Sequence, residues 1–164
     1  MAEMPTVHDP SASGEAMPTG SSVSAVGDLE VAAAVERFSD GAVEARFAEQ
    51  VEERRVEFDA IVGMLLLQTT PGVNPAQAEV VARAIAAACL GEQHLWRDLE
   101  LPNRGVLRRL FEAYFEPFAA DNLMDMRWKK FLYRKLCRWG GFHTCKAPSC
   151  GACSSYSECF GTQA

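Results

Sequence analysis

The feature that most constrains this chain is a set of four cysteines within 15 residues near its C-terminal end. They form a C-x4-C-x2-C-x5-C array made of Cys145, Cys150, Cys153 and Cys159. Most residues between them are small or turn-forming, so the backbone can wrap tightly around a central group. The first three cysteines also share the C-x4-C-x2-C spacing of plant-type ferredoxin ligands. The array therefore predicts a loop that binds an inorganic cluster through thiolates.

Disulfides and zinc are the two alternative uses of such an array. A disulfide framework is typical of small secreted domains, and the N-terminus shows no basic start followed by an apolar stretch that would indicate secretion. A structural zinc site normally uses two pairs of ligands that lie about a dozen or more residues apart. The spacing alone favours an iron-sulfur cluster, and it leaves zinc and disulfides as open alternatives.

The rest of the chain predicts an all-α fold. Apolar residues recur at helical intervals between Pro and Gly breaks, and no alternating strand pattern is visible. Residues 58–68 are apolar on nearly every face and are expected to form a central helix. Asn74 and Pro75 mark the start of the next helix. Residues 1–27 are poor in large apolar side chains and are expected to be a disordered tail. We therefore expect a compact helical bundle over residues 28–164, with a cluster-binding loop at 143–161.

The last predicted helix, over residues 126–139 with Asp125 or a neighbour as its cap, has two contrasting faces. At helical spacing its apolar side chains cluster on one side, which should dock onto the bundle: Trp128, Phe131, Leu132, Leu136 and Trp139. Basic side chains cluster on the other side, immediately before the cysteines: Arg127, Lys130, Arg134 and Arg138. Candidate contacts for an oxyanion or an acidic partner are Arg127, Lys129, Lys130, Arg134 and His143.

Charge and composition exclude several classes of function. Residues 1–100 contain 6 Lys or Arg against 17 Asp or Glu, whereas residues 101–164 contain 10 against 5. This distribution argues against a nucleic-acid-binding protein with a basic surface. No apolar run is long enough to cross a membrane, so a cytoplasmic protein is expected. No catalytic motif is present, and an enzyme is not expected.

The remaining cysteines and the remaining histidine of the helical region have simpler interpretations. Cys89 lies on the apolar stripe of its helix and Cys137 on the flank of another, so both are expected to be packing residues. His94 precedes a short helical turn and is expected to make a structural hydrogen bond.

Several segments together resemble the NifQ family of nitrogen-fixation proteins. They are MRWKKFLYRKLC at 126–137, GF at 141–142, the cysteine array with its CKAPSC opening, and the closing CFG at 159–161. The segment HLWRDLELPNR at 94–104 is similar to the middle of that family. The likeness covers roughly residues 58–161, and the combination of a basic-aromatic helix with the array is more specific than either part.

The resemblance implies a cytoplasmic molybdenum carrier for nitrogenase cofactor synthesis. Family members hold a molybdenum-iron-sulfur cluster and pass molybdenum to the NifEN scaffold, with the NifH iron protein taking part. The four array cysteines would then be the cluster ligands, and molybdate or another source would supply the molybdenum. The alternatives are an iron-sulfur electron-transfer protein and a zinc-stabilised interaction module.

Overall fold

The computed structural model describes residues 21–140, and these residues confirm the all-α prediction. Every regular element within this range is a helix, and no strand is found there. The helices are α1 (Ser21–Ser39), α2 (Ala42–Arg46), α3 (Ala48–Glu53), α4 (Arg55–Leu66), α5 (Pro75–Cys89), α6 (Leu95–Asp98), α7 (Arg104–Tyr114), α8 (Glu116–Ala120) and α9 (Trp128–Gly140).

Helix α5 is the centre of the bundle. It packs against α1, α2, α3, α4 and α6. Its last turns are alanine-rich, and their side chains are almost entirely buried, which lets neighbouring backbones approach closely. We expected residues 58–68 to form the central helix, but α5 occupies that position. Leu67 lies just after α4 with 71% of its surface exposed, because one side of that segment faces away from the core.

The predicted start of α5 is confirmed. The Asn74 side-chain oxygen accepts hydrogen bonds from the backbone N–H groups of Ala76 at 2.9 Å and Gln77 at 3.4 Å. Pro75 is the first residue of the helix, where its missing N–H costs nothing. The local sequence therefore fixes where the central helix begins.

Replacing Asn74 with Ala should lower the free energy of unfolding by about 1 kcal/mol, because two N–H groups of α5 lose their acceptor. Urea unfolding followed by far-ultraviolet circular dichroism measures the change. Asn74→Ser keeps a capping oxygen and should retain most of the stability. An Ala variant with the wild-type unfolding midpoint would contradict the capping role.

Helix α1 begins at Ser21, before the predicted end of the tail at residue 27. Of the expected tail, residues 1–20 lie outside the described part of the chain, whereas residues 21–27 form the first turns of α1. Gly27 is buried against α7, and a Cβ at this position would overlap the guanidinium of Arg109. Arg109 also pairs with Glu30 at 3.5 Å. Packing against α7 thus extends a helix into a segment whose composition predicts a tail.

Aromatic stacking docks α9 onto the bundle, as predicted. The Trp128 ring stacks on Phe111 with centroids 4.1 Å apart, and Phe131 meets Phe118 edge-on at 5.0 Å. Trp139 is the exception, because 61% of its surface is exposed. Docking therefore uses the first part of the predicted apolar face and does not reach its last residue.

The start of α9 is organised by Asn122. Its side-chain amide accepts from the Met126 N–H at 2.8 Å and donates to the Met126 carbonyl at 2.9 Å. Asp125, the expected cap, adopts a left-handed backbone conformation with φ of 49°, and the helix begins at Trp128. The predicted cap is therefore wrong, and the loop before α9 is closed by a residue further upstream.

Candidate functional site

The predicted cluster ligands lie beyond the described part of the chain. Cys145, Cys150, Cys153 and Cys159 all follow the end of α9 at Gly140, and so does His143. Within residues 21–140, no group of three or more His, Cys, Asp or Glu side chains is arranged to hold a metal ion. No helix in that range is both long and apolar enough to span a membrane. What the structure shows of the candidate site is the helix that leads into the array.

The structure places the four predicted cations of α9 in different environments. Lys130 is exposed, whereas Arg127 and Arg134 are half-buried. Lys129 turns inward: its Nζ lies 2.5 Å from Asp98 Oδ2 and 2.8 Å from the Gly91 carbonyl oxygen. The charge of Lys129 is therefore largely compensated within the fold, and an external anion would have to compete with a buried carboxylate.

Asp98 is a residue whose importance the sequence analysis missed. It is 6% exposed, and its Oδ2 accepts from the Gln93 backbone N–H at 3.1 Å as well as from Lys129. A Cβ at Gly91 would lie 2.7 Å from the same oxygen, so this position needs a glycine. Asp98 thus joins the loop after α5 to the first turn of α9. A carboxylate between the apolar residues Trp96 and Leu99 was the available signal.

A second polar contact holds α9 further along. The Tyr133 hydroxyl donates to Glu57 Oε1 of α4 and lies 3.1 Å from Arg54, which itself pairs with Glu57. The hydroxyl also lies 3.4 Å from the carbonyl oxygen of Cys89, at the end of α5. Burial and the hydrogen bond with Glu57 raise the pKa of the Tyr133 hydroxyl. Two polar contacts and the aromatic stack therefore fix α9 before the chain enters the array.

A cleft of about 150 Å³ opens beside the first turn of α9. Its walls come from the segment around α6, from α7 and from residues 127–130, and they include His94, Trp96, Arg127 and Lys130. His94 was expected to make a structural hydrogen bond, but its imidazole makes none with another described residue. Partial desolvation and the nearby charge of Arg127 lower the pKa of His94. The structure therefore brings a histidine together with three of the predicted cations, Arg127, Lys129 and Lys130.

The structure supports a packing role for Cys89. The residue is 3% exposed, and burial raises the pKa of its thiol to about 12. A thiol with this pKa is almost entirely protonated near neutral pH, which makes it a poor nucleophile and a poor metal ligand. Cys137 is partly buried on α9.

Native Cys89 should resist alkylation. At pH 8 a thiol with a pKa of about 12 is ionised in only about one molecule in ten thousand, and the side chain is also inaccessible. Iodoacetamide labelling followed by peptide mass spectrometry should modify Cys89 only after unfolding in urea, whereas Cys137 should label faster in the folded protein. Equal labelling rates of Cys89 with and without urea would contradict its burial.

Comparisons with a family model and with curated proteins identify the same family. The family model of NifQ matches residues 11–161. Protein NifQ of Azotobacter vinelandii is 43% identical over 113 residues, which are 69% of this chain and 57% of the relative. The Protein NifQ homolog of Sinorhizobium fredii is 42% identical over 100 residues, covering 61% of this chain and 43% of the relative. Protein NifQ of Rhodobacter capsulatus is 38% identical over 89 residues, covering 54% and 49%.

The matched segments span about half the length of these curated relatives. No solved structure matches the chain. The family match nevertheless runs through all of the described helices and through the four array cysteines. The chain therefore belongs to the NifQ family.

Proposed function

We propose that this chain carries a molybdenum-iron-sulfur cluster on Cys145, Cys150, Cys153 and Cys159 and donates molybdenum for the synthesis of the nitrogenase iron-molybdenum cofactor. The observation that carries the proposal is the extent of the family match, which runs from residue 11 to residue 161 and includes the whole array. The array thus lies within the part of the chain that matches the NifQ family model.

The chemistry of the donor set fits such a cluster. Thiolates are soft ligands that suit iron-sulfur centres and reduced molybdenum, and four of them within 15 residues can bind one compact inorganic core. When bound, the cluster supplies molybdenum in a sulfide-rich environment from which it is passed on. The cysteines bind this cargo, and basic side chains near the array attract the incoming oxyanion.

The fixed position of α9 supports a role in metal transfer. Lys129 and Tyr133 hold the helix to the bundle through Asp98 and Glu57. A helix held in this way gives the array a fixed starting point on the bundle. The proposed receivers are the NifEN scaffold together with the NifH iron protein, in the cytoplasm. We assign the chain a carrier role and no catalytic step of its own.

Metal and sulfide analysis of the chain isolated under strict anoxia tests the proposal. Molybdenum together with iron and acid-labile sulfide is the expected result. Protein from cells grown without molybdate serves as the control and should retain iron and sulfide but lose molybdenum. Iron and sulfide without molybdenum in replete cells would indicate an electron-transfer protein. Zinc alone would indicate a zinc-stabilised interaction module.

A further inference from the structure

The cleft beside α9 has an unusual balance of charge. Arg127, Lys129 and Lys130 all border it, and no carboxylate is among its lining residues. The positive charge of Lys129 is compensated by its ion pair with Asp98. Lys130 makes no ion pair with any residue between 21 and 140, so its charge is available to a ligand. The cleft therefore presents a positive potential to small molecules in solvent.

The walls of the cleft strengthen that potential. Leu95 and Leu107 contribute apolar surface next to the cations. Apolar walls lower the local dielectric and strengthen the attraction between a cation and an anion compared with an open surface. Partial desolvation and then neighbouring cations lower the pKa of His94, and an anion bound beside the ring would offset the charge of those cations. His94 is thus placed to donate a hydrogen bond to an anionic ligand.

We propose that this cleft is a binding site for a tetrahedral oxyanion of the molybdate class, contacted by His94, Arg127 and Lys130. The site receives the oxyanion before its metal enters the cluster. The existence of an anion site stands on the geometry of the cleft, whereas its assignment to molybdate rests on the proposed function. The inference adds His94 to the residues that contact the oxyanion and assigns Lys129 a mainly structural role.

Size restricts the choice of ligand. A water needs about 10–15 Å³ of a volume measured in this way, so a cleft of about 150 Å³ has room for a small ion with its nearest waters. Drug-sized ligands usually occupy pockets of about 300 Å³ or more, so the cleft would enclose only part of a nucleotide. A compact dianion fits both the volume and the charge.

The test is equilibrium binding of molybdate to the full chain in which all four array cysteines are replaced by Ser, so that cluster chemistry does not contribute. Isothermal titration calorimetry at low ionic strength should show saturable binding. Lys130→Gln and His94→Gln should each weaken it by about tenfold, as expected for the loss of a charge-assisted hydrogen bond. The matched control is Arg138→Gln, which removes an exposed cation of α9 that does not line the cleft and should change the affinity less than twofold.

Competing anions identify the ligand class. Tungstate should bind like molybdate because it has the same shape and charge, and sulfate and phosphate should bind no more tightly. A tenfold preference for sulfate or phosphate would overturn the assignment to molybdate. Absence of saturable binding, or equal weakening by Arg138→Gln and Lys130→Gln, would overturn the site itself. Circular dichroism melting of each variant verifies that the helical bundle is intact.

The binding experiment and the metal analysis can fail separately. If the wild-type chain holds molybdenum, iron and sulfide but the chain without the array cysteines binds no molybdate, the cleft assignment fails and the carrier function stands. If the chain without the array cysteines binds molybdate but the wild-type chain holds no mixed cluster, the carrier function fails and the anion site stands.

Discussion

Replacing Cys153 with Ala should remove almost all iron, sulfide and molybdenum from the anaerobically isolated chain and abolish its visible absorption. The reason is that the proposed cluster depends on all four thiolates of the array, of which Cys153 is one. Far-ultraviolet circular dichroism should change little, because the helices of residues 21–140 share a hydrophobic core of their own, formed by residues from Val31 to Leu136.

The matched control for this variant is Cys89→Ala. It also removes one cysteine, but one that is buried in α5 and has a strongly raised pKa. Cys89→Ala should keep its full metal content and lose only a small amount of stability. A Cys153→Ala protein with wild-type iron and molybdenum, or a Cys89→Ala protein without them, would contradict the assignment of the ligands.

Replacing Asp98 with Ala should cost about 3 kcal/mol of unfolding free energy, near the lower end of the range for breaking a buried ion pair. The substitution leaves the inward-facing Lys129 ammonium without its carboxylate and removes the acceptor of the Gln93 N–H. The Lys129 side chain is 18% exposed, so water offsets part of the cost. Chemical denaturation of the full chain under anoxia measures this effect.

An exposed ion pair provides the comparison. Arg108→Gln breaks the pair with Glu112, where both side chains are about half exposed, and should cost less than about 0.5 kcal/mol. Removing both partners of the buried pair, as Asp98→Ala with Lys129→Met, should recover part of the loss because no charge is left unpaired. Equal costs for Asp98→Ala and Arg108→Gln would show that Asp98 does not hold α9 in place.

Features that depend on local sequence could be predicted. Asn74 and Pro75 determine the start of α5 through hydrogen bonds and dihedral angles that involve only the next few residues. The apolar spacing of α9 likewise predicted that Trp128 and Phe131 pack inward, since a helix places such residues on one face whatever it docks against. Membership of the NifQ family was also readable from motifs, because the array and the basic helix are contiguous in the chain.

Features that depend on distant residues could not be predicted. Lys129 and Lys130 are neighbours of the same type, and only the position of Asp98, 31 residues away, makes one a buried partner and the other a solvent-exposed cation. The cleft at His94 has the same origin, because it forms only where the segment around α6 meets the start of α9. The central place of α5 depends on how closely its alanines let other helices approach, which hydrophobicity alone does not report.

Molybdenum K-edge X-ray absorption on the anaerobically isolated chain is the most direct test of whether the four cysteines hold a mixed cluster. Sulfur and iron are the expected near neighbours of molybdenum, and both should be lost in Cys153→Ala. Molybdenum surrounded only by oxygen, with no iron near it, would contradict a molybdenum-iron-sulfur cluster on these thiolates.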